Sequence, residues 1–201
     1  MCGITGVILG RHANIKKVRQ HFTALLSLTE SRGTDAAGAY VYNGDGEVFM
    51  AKSPMRASTF IKSRRFMGLM QTITKDTLHV IGHTRAATQG TPLNNSNNHP
   101  ILDENWIGIH NGVIYNDGLL ASQYGTSAEV DSAVIFSMLN AETKDRPIGR
   151  KRFATLMSKL AGSFAVAATD LRTDRLFLAR NHNPIFLLLK DGCLWFNSVS
   201  A

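Results

Sequence analysis

Runs of apolar residues alternate with polar segments along the chain, and their spacing predicts strands at both ends and helices in the middle. Residues 3–9 are apolar and β-branched, which predicts a strand. Residues 15–30 repeat apolar positions at intervals of three and four, which predicts one face of a helix. Further strands are predicted at Ala39–Tyr42, Val48–Ala51, Leu78–Thr84, Trp106–Asn111, Ser163–Thr169, Arg175–Ala179, Ile185–Lys190 and Leu194–Asn197.

The middle of the chain carries the helical patterns and the turn signals. Helices are predicted within residues 53–75, at Asp131–Ala141 and around Phe153–Leu160. A hairpin turn is predicted at residues 43–46, and a second turn is predicted at Gly112. Residues 88–99 are rich in asparagine and read as a long polar loop. Because strands come first and last rather than alternating with helices, the pattern predicts an α+β fold, in a single domain over 1–201.

Charge and cysteine content narrow the class of protein. The 201 residues carry a net charge of +7, and lysine and arginine cluster around residues 16–19, 62–65 and 144–152. A solvated surface is the favoured interpretation of this charge. An acidic protein or a nucleic acid is the alternative, but no nucleic-acid motif supports it. Two cysteines and no long apolar stretch or signal peptide indicate a cytoplasmic protein without membrane spans or a disulfide scaffold.

Cys2 follows the initiator methionine directly. Methionine aminopeptidase removes Met1 when the next side chain is small, which leaves a thiol and a free α-amine on one residue. The amine has a pKa near ~8 and the thiol near ~8.5, so the amine can accept the thiol proton near neutral pH. The alternative interpretation is a small apolar cysteine that opens the first strand.

Several polar segments follow predicted strands, where loops often carry function. Asn111-Gly112 can supply two N–H donors to an oxyanion, although Asn-Gly is also a common hairpin turn. Arg85 and Asp131 suit the carboxylate and ammonium of an amino acid, although each also fits a structural ion pair. His83 and His110 lack partners at metal-ligand spacing, so structural hydrogen bonds are favoured and no metal site is predicted.

Taken together, these segments resemble class II glutamine amidotransferases, the N-terminal nucleophile type. The matching motifs come in the family's order and cover nearly the whole chain. They are Met1-Cys2-Gly3-Ile4, Arg32-Gly33-Thr34-Asp35-Ala36-Ala37-Gly38, Gly82 to Gly90 (GHTRAATQG), His110 to Asn116 (HNGVIYN), Glu129-Val130-Asp131-Ser132, Gly162-Ser163-Phe164-Ala165, and Ala179-Arg180 with Asn183-Pro184.

The resemblance implies a four-layer α/β/β/α sandwich with two antiparallel sheets. It also implies hydrolysis of the L-glutamine side-chain amide to glutamate and ammonia through a thioester, without a metal or organic cofactor. The implied roles follow the matching positions. Cys2 is the nucleophile, Asn111 and Gly112 form the oxyanion hole, Arg85 and Asp131 bind the α-carboxylate and α-ammonium, Thr88 lies in the closing loop, and Arg32, Asp35 and His83 support the site.

The chain departs from the family pattern in the closing loop. Ala86 replaces a bulky tryptophan and Gln89 replaces a histidine, so looser closure over glutamine is expected. In the family more chain follows the position where this sequence ends, so a stand-alone amidase, a subunit and a fragment are all open. The leading hypothesis is a glutaminase that supplies ammonia to a synthase partner. The alternatives are an N-terminal nucleophile hydrolase acting on another amide, and a degenerate fold used for binding or regulation.

Overall fold

The strands of the protein form two antiparallel sheets. A computed structural model describes residues 1–127, 129–144 and 146–200. Within those ranges the strands are β1 (Gly3–Ile8), β2 (Ala36–Gly44), β3 (Glu47–Ser53), β4 (His79–Arg85), β5 (Ile101–Asp103), β6 (Trp106–Ile114), β7 (Gly162–Asp170), β8 (Arg175–Arg180), β9 (Phe186–Lys190) and β10 (Cys193–Asn197).

Two of the helices begin after residues whose side chains satisfy free backbone N–H groups. The first follows Asn14, whose side chain accepts a hydrogen bond from the backbone N–H of Lys17. The third follows Ser63, which caps the N–H of Phe66 in the same way. In the described part of the chain the helices are α1 (Ile15–Leu28), α2 (Ala57–Phe60), α3 (Arg64–Gln71), α4 (Asp117–Tyr124), α5 (Ala133–Thr143) and α6 (Arg150–Met157).

The two sheets pack face to face between two layers of helices. One sheet has the strand order β3-β2-β4-β1-β10-β9, and the other has the order β5-β6-β7-β8. Every strand pair in them is antiparallel.

Three apolar clusters mark the three contacts between layers. Helices α1, α2 and α3 cover the outer face of the first sheet, where Phe22 packs with Val7. Ile4 and Ile109 lie in the cluster between the sheets. Helices α4, α5 and α6 cover the outer face of the second sheet. The predicted four-layer α/β/β/α sandwich is therefore confirmed.

Alternation along each strand assigns side chains to the two faces of the sheet. In β1, Ile4 points between the sheets and Val7 points toward the helices. Even-numbered residues at this end of β1 therefore face the second sheet. Cys2 precedes the strand by one residue and continues the same alternation.

The predicted turn at Gly112 is wrong, because β6 runs without a break from Trp106 to Ile114. Gly112 has a φ of 141°, and a Cβ there would lie 1.8 Å from the carbonyl oxygen of Ser163 on β7. Glycine is required at this position because β7 approaches closely, not because the chain reverses. The short strand β5 and the helix α4 are additions that the apolar pattern did not predict.

The described residues contain no helix that is long and apolar enough to cross a membrane. Cys2 and Cys193 are both free thiols, and Cys193 is buried in the cluster beneath α1. His79 is also buried, between the sheets, where its Nε2 lies 2.8 Å from the hydroxyl oxygen of Thr169.

Candidate active site

Strand pairing in the first sheet brings Cys2 to the end of β4. Gly3 lies opposite Thr84, so the residue before Gly3 meets the chain where it leaves β4. The backbone N–H of Ala86 donates to the Cys2 Sγ at 3.4 Å, and the thiol lies 3.6 Å from the Ala86 carbonyl oxygen. The side chain of Cys2 is thus held at the mouth of the 86–90 loop.

Burial raises the pKa of the Cys2 thiol above its ordinary value, while the Ala86 N–H and the guanidinium of Arg85 act in the opposite direction. The net direction is upward, so the thiol is protonated at neutral pH and needs a base to become a nucleophile. Met1, which is bonded to the α-nitrogen of Cys2, is 75% exposed. This terminal peptide is accessible to an aminopeptidase, which would release the α-amine as that base.

Arg32 and Asp35 lie in the segment before β2 and form hydrogen bonds to the backbone around Cys2 and the end of β4. The Arg32 Nε donates to the Cys2 carbonyl oxygen at 2.9 Å. The Asp35 carboxylate accepts from the Ala87 N–H at 2.8 Å, and its own N–H donates to the Arg85 carbonyl. These contacts hold the backbone around the thiol of Cys2.

Arg85 ends β4 with its side chain buried. Its Nη1 donates to the Asn98 Oδ1 at 2.8 Å, and its Nη2 donates to the carbonyl oxygens of Gln89 and Gly90. A guanidinium has five N–H donors, so two remain for a ligand. The guanidinium both shapes the 86–90 loop and presents a positive charge beside Cys2.

Gln89, one of the two departures from the family pattern, links this loop to the segment that precedes α5. Its Oε1 accepts a hydrogen bond from the backbone N–H of Asp131 at 3.1 Å. Its carbonyl receives the guanidinium of Arg85. Gln89 is therefore hydrogen-bonded both to Arg85 and to Asp131, although Ala86 supplies no bulky side chain.

Asn111 and Gly112 lie in the second sheet, on β6, opposite Ala165 and Phe164 of β7. Asn111 is fully buried, and its carbonyl oxygen accepts from the Asn183 side chain at 2.7 Å. Within the described ranges, Nδ2 and Oδ1 of Asn111 have no hydrogen-bond partner in the protein. A buried amide that is not paired within the fold is available as a donor to a bound group.

Asp131 precedes α5 and is buried together with its neighbour Ser132. Its Oδ2 accepts from the Ile114 N–H at 2.8 Å, and its Oδ1 accepts from the Ser132 hydroxyl at 3.3 Å. Carboxylate oxygens have more than one lone pair, so both atoms can still accept from an ammonium group. Asp131 is therefore a fixed negative charge across the cavity from Arg85.

Three buried histidines adjoin these residues, and two of them, His99 and His110, line the same cavity. The His83 Nε2 is 3.0 Å from the His110 carbonyl oxygen, and the His110 Nδ1 is 2.8 Å from the Ser132 hydroxyl. The centroids of the His83 and His99 rings are 4.2 Å apart. Burial lowers the pKa of His83 to about 3, so it stays neutral and supports the site through hydrogen bonds and packing.

The residues singled out from the sequence meet around one narrow cavity of about 20 Å³. Cys2, Arg85, Thr88, Gly112 and Asp131 line it. The buried Asn111 adjoins it on β6. Arg32, Asp35 and His83 lie one layer behind. In the described part of the chain no group of three His, Cys, Asp or Glu side chains could hold a metal ion.

The sequence did not predict the contacts that four residues make in the site. Gln89 and His99 line the cavity, Asn98 binds the guanidinium of Arg85, and Ser132 binds His110. The high asparagine content of residues 88–99 was the available signal. A polar loop of that length that folds onto a sheet satisfies its own backbone through side-chain amides.

Buried histidines make the stability of the protein sensitive to acid. Burial lowers the pKa of His79 to about 4 and of His83 to about 3, from 6.5. The unfolded chain thus binds protons that the native state excludes, so stability is complete above pH 6.5 and falls as the pH drops toward 4. We expect the free energy of unfolding to be lower at pH 5 than at pH 7 by ~2 kcal/mol for each of these histidines.

Urea unfolding at the two pH values measures this difference. In His79→Gln, the difference in the free energy of unfolding between pH 7 and pH 5 should be smaller by the contribution of His79. Equal stability of the unchanged protein at pH 7 and pH 5 would contradict the expected result.

The chain is similar to known proteins both in sequence and in structure. Residues 83–201 match the family described as "Glutamine amidotransferase domain". A 7-cyano-7-deazaguanine synthase 2 from Sulfurisphaera tokodaii is 27% identical over 99% of this chain and 43% of its own length. A glutamine–fructose-6-phosphate aminotransferase from Oceanobacillus iheyensis is 30% identical over the whole chain and 32% of its own length. The chain thus spans less than half the length of these curated relatives.

Among solved structures, the glutamine phosphoribosylpyrophosphate amidotransferase from B. subtilis, complexed with ADP and GMP, matches 98% of this chain and 42% of its own. The TM-score is 0.72 at 19% sequence identity. A structure described as the allosteric regulatory enzyme of purine biosynthesis matches with a TM-score of 0.70. At this level of identity the matches establish the shared fold.

Proposed function

The chain belongs to the glutamine amidotransferase domain family, as its motifs predicted, and we propose that it hydrolyses the side-chain amide of L-glutamine to glutamate and ammonia. One observation carries this proposal. The thiol of Cys2, the guanidinium of Arg85 and the carboxylate of Asp131 line the same cavity, and the unpaired amide of Asn111 adjoins it. Each group matches one part of a glutamine molecule or of its reaction.

The proposed reaction begins at the thiol of Cys2. After removal of Met1, the free α-amine accepts the thiol proton, and the thiolate attacks the side-chain amide carbon of glutamine. The N–H groups of Asn111 and Gly112 stabilise the oxyanion that forms. The protonated amine then gives its proton to the departing ammonia, which leaves a γ-glutamyl thioester. Water hydrolyses that thioester and restores the thiol.

Charge at opposite sides of the cavity supports an amino acid as substrate. Arg85 has two N–H donors available for the α-carboxylate, and Asp131 offers a carboxylate to the α-ammonium. A hydrolase for an unrelated amide would have no use for this pair. Ammonia release from L-glutamine should therefore exceed release from N-acetylglutamine, which lacks the ammonium, and from glutamine α-amide, which lacks the carboxylate. Equal rates with all three compounds would favour the other-amide hydrolase.

Arg85→Lys should raise the KM for glutamine. Lysine keeps the charge but loses the planar pair of N–H donors, and a hydrogen bond to a charged group contributes ~1.5–3 kcal/mol, so KM should rise ~10- to 100-fold. Steady-state kinetics with glutamine measures the change. Arg64→Lys, at an exposed position on α3, is the matched control and should leave KM unchanged. An unchanged KM in Arg85→Lys would remove Arg85 from substrate binding.

A synthase partner that receives the ammonia is part of the proposal. The relatives whose names describe synthases and aminotransferases are more than twice as long as the matched region. Strand β9 supports the idea of a partner, because it is the free edge of its sheet and its residues Phe186 to Leu189 are 49% to 76% exposed. Exposed apolar edges pair readily with other chains. The comparisons give no support to a nucleic-acid partner, and a cytoplasmic location remains a prediction.

A further inference from the structure

Unpaired polar atoms cluster beside the nucleophile. Among the residues that the structure describes, Nδ1 and Nε2 of His99 and Nε2 of His110 are buried and have no hydrogen-bond partner in the protein. His99 is 4% exposed and His110 is 1% exposed, and both line the same cavity as Cys2. Leaving a buried polar atom unpaired is costly, so these atoms point to a bound polar molecule.

Each of the two imidazoles is held by a different part of the fold. The ring of His99 lies 4.2 Å from the ring of His83, at the end of the polar loop. The His110 Nδ1 lies 2.8 Å from the hydroxyl oxygen of Ser132, which fixes the ring and leaves Nε2 for a ligand. Two oriented rings from two different elements therefore border one small space next to the thiol.

The chemistry of these rings selects a neutral ligand. Burial lowers the pKa of His99 well below its ordinary value and lowers that of His110. The rings of His83 and His110 and the cations Lys52 and Arg85 act further against protonation of His99. Asp131 and a hydrogen bond to the backbone of Ser163 act in favour of protonation of His110. Because a neutral imidazole has one donor and one acceptor nitrogen, the pair suits a molecule that both donates and accepts. Water fits that description, and ordered water needs two to four such partners.

We propose that His99 and His110 bind and position the water molecule that hydrolyses the γ-glutamyl thioester on Cys2. This inference rests on the proposed function, because it assigns the second step of that reaction. The orphaned nitrogens provide binding for a small polar molecule, and their place in the cavity wall puts it beside the acylated sulfur. Arg85 and Asp131 are assigned to the two charged groups of glutamine, so they remain engaged while the water reacts.

The step balances as an ordinary thioester hydrolysis. The oxygen of the water bonds to the acyl carbon while one water proton passes to the α-amine of Cys2. The carbon–sulfur bond then breaks, and the departing sulfur takes the proton back from the ammonium. The product is glutamic acid, whose new γ-carboxyl group releases its proton to solvent. His99 and His110 carry no net proton in this scheme and act by holding the water in place.

Rapid-quench kinetics separates this role from substrate binding. In His99→Leu, the first ammonia released per enzyme should keep the rate of the unchanged protein, because acylation does not use this water. Steady-state glutamate release should fall ~10²-fold, as expected when a reactant loses its position. Mass spectrometry of quenched samples should show accumulated γ-glutamyl thioester on Cys2. His99→Gln, which keeps a donor and an acceptor, should recover part of the hydrolysis rate.

His79→Leu is the matched control, since His79 is also buried but lies away from the cavity and binds Thr169. It should not accumulate thioester. If His99→Leu does not fold, Ser132→Ala at saturating glutamine provides the test, because it removes the hydroxyl that orients His110. The same hydroxyl also donates to Asp131, so any weaker binding of glutamine is measured separately as a rise in KM. That variant should show the same burst of ammonia followed by slow hydrolysis.

Two results would overturn the inference while leaving the proposed function intact. In the first, His99→Leu slows the first release of ammonia and slows labelling of Cys2 by a glutamine chloroketone, which would place His99 on glutamine itself. In the second, the variant changes neither step. A different result, in which the unchanged protein gives no ammonia and no thioester, would instead overturn the proposed function and the inference with it.

Discussion

Cys2→Ala should abolish ammonia release from L-glutamine, with a fall of more than ~10⁴-fold, as seen when a covalent nucleophile is removed from an enzyme. Alanine keeps the α-amine and the small side chain, so the variant should fold and still bind glutamine. The sulfur atom alone is lost, and with it the thioester route. Coupled assays of glutamate and ammonia measure the result.

Cys193→Ala is the matched control for this experiment. Cys193 is the second free thiol and lies buried in the apolar cluster beneath α1, away from the cavity. Its replacement should lower stability but leave glutaminase activity at a similar level. Substantial turnover by Cys2→Ala would show that another group performs the attack, and the N-terminal nucleophile mechanism would then be wrong.

The second large effect concerns the oxyanion. Asn111→Ala should lower kcat by ~10²–10³-fold, which is the loss measured when one oxyanion donor is removed, while KM for glutamine changes little. The physical reason is that the amide Nδ2 is buried and unpaired in the protein, so its hydrogen bond forms mainly as negative charge develops. Asn111→Asp, which places a negative oxygen at this position, should be at least as damaging.

The control for Asn111 is Asn197→Ala on β10. Asn197 is also a buried asparagine, and its side chain donates to Thr5 rather than facing the cavity. Asn197→Ala should keep the kcat of the unchanged protein. If Asn111→Ala raised KM and left kcat unchanged, the amide would bind the ground state of glutamine and would not form an oxyanion hole.

Local pattern was sufficient to predict an α+β fold, whereas the four-layer sandwich was predicted from the family resemblance. The apolar, β-branched run of β1 and the helical spacing of Val18, Phe22 and Leu26 are properties of neighbouring residues, and both elements form where they were expected. The hairpin turn was equally local, since Gly44, Asp45 and Gly46 all have positive φ. The ordered motifs then located the cavity residues, because the family resemblance gave a role to each matching position.

Features that depend on distant parts of the chain were not predictable in the same way. Gly112 was expected to form a turn, but its conformation is set by the approach of β7, about fifty residues later. The side chain of Gln89 accepts a hydrogen bond from the backbone N–H of Asp131, a contact that the sequence did not indicate. The position of His99 depends on how a polar loop folds over Arg85. Each of these facts is a tertiary contact that no local pattern records.

The most direct test of the central claim is mass spectrometry of the N-terminal peptide after rapid acid quenching of the protein with L-glutamine. The account predicts a peptide that begins at Cys2, without Met1, and that carries a γ-glutamyl group on this residue. Cys2→Ala should give the processed peptide without the adduct. A protein that turns over glutamine with Met1 still attached, or with the acyl group on another residue, would contradict the account.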